Sequence, residues 1–160
     1  MSGQIPPGVD QVSSWLTEHL AEVSGQQLLV LAPPAWIAAL APQLPAQAVM
    51  FDPEQPLSDL PATRFAAGVV AGALELLSPR EGEAMLARLR DERCARVLAI
   101  AHASSDRGRS AMLALGFTRI AESAEGWRLY EHDIASYNPP REWNTPENWA
   151  NPENFNRYRW

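Results

Sequence analysis

The sequence predicts an α/β fold, a mostly parallel sheet held between two layers of helices. Three observations carry this. Residues 28–32, 48–51, 65–73 and 97–101 are apolar runs without polar alternation, the pattern of strands buried on both faces. The segments between several of them place apolar residues at helical spacing. Residues 117–121 and 127–133 then read as two strands joined by a short turn at 123–126, which makes them an antiparallel pair.

In chain order, residues 9–23 set Val9, Val12, Trp15, Leu16, Leu20 and Val23 on one helical face, and Ser24-Gly25 ends that helix. The strand 28–32 is stopped by Pro33-Pro34, and a short helix is expected over 35–44. Asp52-Pro53 closes the strand 48–51. Residues 52–64 hold three prolines and no periodicity, so a loop is expected before the strand 65–73. Ser78-Pro79-Arg80-Glu81 opens the next helix with a capping serine, a proline at the first helical position and a glutamate at the capping-box position. Met85, Leu86 and Leu89 form its inner face. After the strand 97–101, a helix is expected over 106–115 with Gly116 as terminator. These elements make a Rossmann-like three-layer sandwich with about six strands, one of them antiparallel.

A chain of 160 residues, 46% of them apolar, supports a domain with a substantial core and an appended arm. The expected division is a body at 1–137 and an irregular C-terminal arm at 138–160. A net charge of −6 with scattered basic residues argues against nucleic acid or anionic membrane as partner. The single cysteine, Cys94, excludes an internal disulfide and suits a reducing compartment. The opening residues have neither the charged nor the apolar region of a signal peptide. The longest apolar stretch, at 65–74, is about half of the roughly 20 residues a membrane span needs. A soluble, cytoplasmic protein is the expectation.

The segment from Phe65 through Gly72 and Glu75 to Ser78 resembles the fourth strand and following loop of class I S-adenosylmethionine-dependent methyltransferases. Leu115-Gly116-Phe117 is similar to that family's last helix-to-strand passage, and residues 127–133 match its antiparallel strand. The resemblance covers residues 26–135. With the C-terminal tail included, the chain also resembles small bacterial proteins of a domain-of-unknown-function family ending in Asn-Pro-Glu-Asn-Phe. The methyltransferase resemblance implies S-adenosylmethionine as cofactor and places Ala32, Pro33, Asp52, Gly72 and Glu75 around it. Asp52 stands where an acidic residue would bind the ribose hydroxyls, although Asp52-Pro53 also reads as a strand-ending turn. Glu75 stands where the loop after strand four meets the cofactor, or is a solvated loop residue.

The departures from that family are specific. Its first strand leads into a glycine-rich turn that lets the backbone approach the cofactor. Here Pro33-Pro34-Ala35-Trp36 follows; two prolines remove two backbone donors and fix φ. The family's third strand and the helix before it are missing. A cofactor site closed by side chains would bury Trp36 near the C-terminal edge of the sheet.

Other chemistry is thin. His102-Ala103-Ser104-Ser105-Asp106 follows a buried strand, the edge where ligands bind in open α/β sheets, but adjacency is not a triad. Ser105 is expected to cap the next helix. No histidines or cysteines have metal-ligand spacing, and no metal and no catalytic residue are assigned. Leu113-Ala-Leu-Gly-Phe117 also suggests an acyl-coenzyme-A-dependent acetyltransferase, whose fold needs a long antiparallel sheet. The arm repeats Pro-x-x-aromatic at Trp143, Trp149 and Phe155 and closes on Tyr158 and Trp160. Disordered segments are poor in aromatics, so these rings are expected to dock on the body, a second copy or another protein. Each Asn-Pro-Glu-Asn unit can form one short capped turn. The functional expectation is a degenerate methyltransferase-like domain with no ordinary cofactor and a non-catalytic interaction or regulatory role. The alternatives are a small active methyltransferase and the acetyltransferase.

Overall fold

The structure, a computed structural model, describes residues 6–21, 27–105, 108–137, 147 and 151–154. Its elements are α1 (Val9–His19), β1 (Leu28–Leu31), α2 (Pro34–Leu40), β2 (Val49–Phe51), β3 (Phe65–Val70), α3 (Pro79–Arg88), β4 (Cys94–His102), α4 (Arg109–Ala114), β5 (Thr118–Glu122), β6 (Trp127–Asp133) and α5 (Ile134–Tyr137). The six strands form one sheet in the order β2-β1-β3-β4-β6-β5. The pairs β1–β2, β1–β3 and β3–β4 are parallel, whereas β6 runs against both β4 and β5. The expected six-stranded mixed sheet is present. The acetyltransferase alternative needs a long antiparallel sheet and meets a parallel one over β1–β4.

Alternate residues of the central strands feed two cores. Leu28, Val30, Ala67, Val69, Leu98 and Ile100 pack with Val12, Trp15 and Leu16 of α1 and Trp36 and Leu40 of α2. Leu29, Leu31, Val70, Val97 and Ala99 pack with Met85 and Leu86 of α3, Met112 of α4, and Phe117. Burial on both faces is why these strands read as unbroken apolar runs. Arg96 ties the first layer to the sheet by donating to the carbonyl of His19 at the end of α1 (2.6 Å) and to the Glu131 carboxylate of β6 (2.8 Å).

α3 begins with the full capping box: Glu81 N–H donates to Ser78 Oγ (3.3 Å) and Ser78 N–H to Glu81 Oε2 (2.9 Å). Several boundaries differ from the sequence reading. α3 runs on as a π-helical turn over Leu89–Arg93 and passes straight into β4, which starts at Cys94. The charged Arg93 and Arg96 had hidden that early start. β3 ends at Val70 because Gly72, at φ +70°, turns the chain away. Ser105 does not cap α4: Gly108 holds the N-cap position, and the Ser105 hydroxyl is engaged elsewhere.

No element stands between β2 and β3 except a 3-10 turn at Leu57–Asp59, so β2 is an outer strand of the sheet. Of the arm, Asn151–Asn154 is described. It forms a 3-10 turn over Pro152–Asn154, closed by Asn154 N–H on the Asn151 carbonyl (3.0 Å). That is the short turn expected for an Asn-Pro-Glu-Asn unit. Trp143, Trp149, Phe155, Tyr158 and Trp160 lie outside the described residues.

Candidate functional site

The parallel strands present their C-terminal ends along one edge of the sheet, and the antiparallel β6 brings its first residue to the same edge. His102, last in β4, is paired with Trp127, first in β6. Ala32-Pro33 after β1, Asp52 after β2, Gly72 and Glu75 after β3, His102 and Trp127 therefore gather at one place. The five residues read from sequence as cofactor-facing all follow strands at this edge. Their roles differ.

Asp52 belongs to its own turn. Its Oδ1 accepts the Glu54 N–H (2.9 Å) and its carbonyl the Gln55 N–H (3.0 Å). Pro33 is the N-cap of α2, with Pro34 as the first helical residue, so the two prolines start a helix where a glycine turn would otherwise lie. Two residues on, α2 delivers Trp36 into the edge. Its indole is 7% exposed and lies directly on Gly72: a Cβ built there would stand 2.3 Å from Trp36 Cδ1 and Nε1.

Trp127 continues this wall. It meets Trp36 edge-on at 5.4 Å between ring centroids and His102 edge-on at 5.0 Å. Such T-shaped contacts suit the aromatic quadrupole. From the other side Gly8, at the start of α1, closes on the Trp127 indole; a Cβ at Gly8 would stand 2.0 Å from Nε1. Trp127 was placed in a strand by the sequence, but its part in this wall was not legible, because the contact to Gly8 joins opposite ends of the body.

Glu75 is held, not loosely solvated. Its Oε1 accepts the His102 N–H (2.9 Å) and the Ser105 hydroxyl (3.1 Å). Its Oε2 is shielded from solvent and has no hydrogen-bond partner among the described residues. His102 has both ring nitrogens engaged. Ser104 N–H donates to Nδ1 (3.2 Å), as the Ser104 hydroxyl can (2.7 Å). The hydrogen then resides on Nε2, directed to the Glu125 carbonyl (3.0 Å). Pro7, Gly8, Glu75, His102, Ser104, Glu125 and Trp127 line a cleft of about 490 Å³ here.

Comparison with known proteins bears on this edge. Residues 10–160 match the Family of unknown function (DUF6231). The chain belongs to that family. No curated protein matches it. Among solved structures it is similar to the 1,6-didemethyltoxoflavin-N1-methyltransferase of Burkholderia thailandensis, with bound S-adenosylhomocysteine, at TM-score 0.52 and 15% identity over 78% of this chain and 76% of that one. It is similar also to the magnesium protoporphyrin IX methyltransferase of Synechocystis with bound S-adenosylmethionine, at TM-score 0.51 and 14% identity over 77% of this chain and 76% of that one. The fold is that of class I S-adenosylmethionine-dependent methyltransferases, as the resemblance of residues 26–135 implied.

Tested against that cofactor, the residues at the edge do not fit it in the ordinary way. The turn after β1 is a proline helix start and Gly72 is covered by an indole. Among the described residues no three His, Cys, Asp or Glu side chains gather as a metal site, and no helix is long and apolar enough to cross a membrane.

Proposed function

We propose that this protein is a non-catalytic interaction or regulatory domain on a methyltransferase-like frame, its cofactor crevice filled by its own side chains. The observation that carries this is Trp36 seated on Gly72. A buried indole on a glycine without a Cβ is a packed contact, and removing either partner's shape costs stability rather than revealing a ready pocket. Its partner surface is the C-terminal arm, through Trp143, Trp149, Phe155, Tyr158 and Trp160, with a second copy or another protein as the bound species. The body at 1–137 and the arm at 138–160 act as separate units in this reading.

Calorimetry of the full chain with S-adenosylmethionine and S-adenosylhomocysteine tests it. The expected result is no saturable heat. Micromolar binding that disappears in Asp52→Ala would sink the reading and favour the second one, a small active methyltransferase that holds its cofactor through Asp52 and Glu75. The specific support for that second reading is the Glu75 carboxylate, rigidly held with one oxygen unpartnered.

A further inference from the structure

The cleft beside the tryptophan wall has a chemistry of its own. Two glutamates line it, Glu75 and Glu125, and among the described residues no arginine does. Among the described residues neither glutamate takes part in an ion pair. The donors on Glu75 Oε1 are a backbone N–H and a hydroxyl, both neutral. They fix the carboxylate, and among the described residues no positive side chain answers its charge. Its other oxygen is shielded from solvent and has no donor among the described residues, which calls for an explanation. His102 does not supply one, since its ring nitrogens face Ser104 and the Glu125 carbonyl. The remaining wall is the buried Trp127 indole, which adds apolar surface to the cleft. The volume of about 490 Å³ suits a small organic group.

We infer that this cleft binds an ammonium or guanidinium group, with Glu75 as its counter-charge, Glu125 at the rim and Trp127 as the apolar wall. An anion would meet two carboxylates. A neutral ligand would leave the Glu75 charge unanswered. The inference rests on the reading of the neighbouring crevice as closed, because an open crevice would merge with this cleft. The cation can come from a small free amine or from a basic side chain of a partner, and the two share this chemistry.

The test is NMR titration of the full-length protein, following the Trp127 indole and the His102 ring. The probes are n-butylammonium, methylguanidinium, a blocked Gly-Arg-Gly peptide, neutral n-butanol and adenosine. The cations should give saturable shifts at both rings, n-butanol should not, and Glu75→Gln should weaken the cations about tenfold, the scale of losing one charge-assisted contact. Glutamine keeps an acceptor for His102 N–H and Ser105, so the fold should survive, which the dispersion of the same spectra reports. Should that variant unfold, Glu125→Gln replaces it, with a weakening of about twofold expected for an exposed rim charge. Tighter binding of the peptide than of methylguanidinium identifies a protein side chain as the source; the reverse identifies a small amine. Equal response to n-butanol, no saturation by any cation, or cation binding unchanged in a folded Glu75→Gln would overturn the inference. Adenosine reports on the crevice: saturable adenosine shifts would undo the closed-crevice reading and with it the separateness of this cleft, while the cation titrations still decide whether Glu75 binds a cation.

Discussion

Gly72 and Cys94 show how single positions constrain this protein. Gly72 combines φ +70° with the Trp36 indole at its Cα. In Gly72→Ala the left-handed backbone and the steric conflict should together cost about 2–4 kcal/mol, read as a lowered urea midpoint with an unchanged slope. A destabilisation below about 0.5 kcal/mol, the scale of an uneventful surface change, would mean that the indole moves freely and the crevice is not packed. Cys94, the first residue of β4, is buried, and burial pushes its thiol up to about 12 from 9.0, against a smaller opposing pull from Arg64 and Arg93. Ellman's reagent at pH 8 should find it only after denaturation, since the thiolate is the nucleophile. The raised value also ties stability to pH. This contribution is complete below pH 9.0 and fades as pH rises through about 12. At this scale the sequence was readable where chemistry is local. Asp52-Pro53 announced a turn, and Asp52 makes one. Glu75 was ambiguous, because its partners His102 and Ser105 come from a different strand end.

Elements were most legible where their ends carry their own signals. Ser78-Pro79-Arg80-Glu81 forms the capping box its spacing announced. Ser78→Ala should therefore lower stability by about 1 kcal/mol, measured by chemical denaturation. Glu81 is held below its ordinary value of 4.5 by the Ser78 backbone N–H and then by the Ser78 hydroxyl. Its contribution is present above pH 4.5 and lost as pH falls through the lowered value, so Glu81→Ala should matter at pH 7 and not in strong acid. The π-helical turn at Leu89–Arg93 had no such signal. Leu89 kept helical spacing with Met85, and the charged residues after it resembled a loop. β4 likewise gained its first residues through pairing: Phe65 with Cys94 and Ala67 with Arg96 in β3, and Arg96 with Asp133 in β6. Neighbouring strands recruit polar residues that periodicity alone assigns to a loop.

For the whole molecule, a mostly parallel sheet of about six strands with one antiparallel strand was legible, because buried apolar runs and a closing antiparallel pair admit few arrangements, whereas the order β2-β1-β3-β4-β6-β5 was not read from the sequence. The absent strand beyond β2 was visible as a proline-rich loop too short in periodic residues to hold one. The arm is where energetics and sequence meet: ordering some twenty irregular residues would cost about 1–2 kcal/mol each, a cost that burial of its rings would have to offset. Deleting residues 139–160 should lower the melting temperature or promote association; if melting, solubility and oligomeric state all stay unchanged, the arm is a free ligand for another protein. The sheet order has one more consequence, for synthesis. β5 leaves the ribosome before β6 but touches the sheet only through it. Gly8 is made well before Trp127, the ring it packs against. A nascent chain halted before residue 127 therefore carries β1, β3 and β4 with Trp36 lacking its aromatic neighbour and the edge of β4 unpaired. Domains begin to fold during translation and expose such edges to aggregation. The tryptophan wall therefore closes only once β6 has been made.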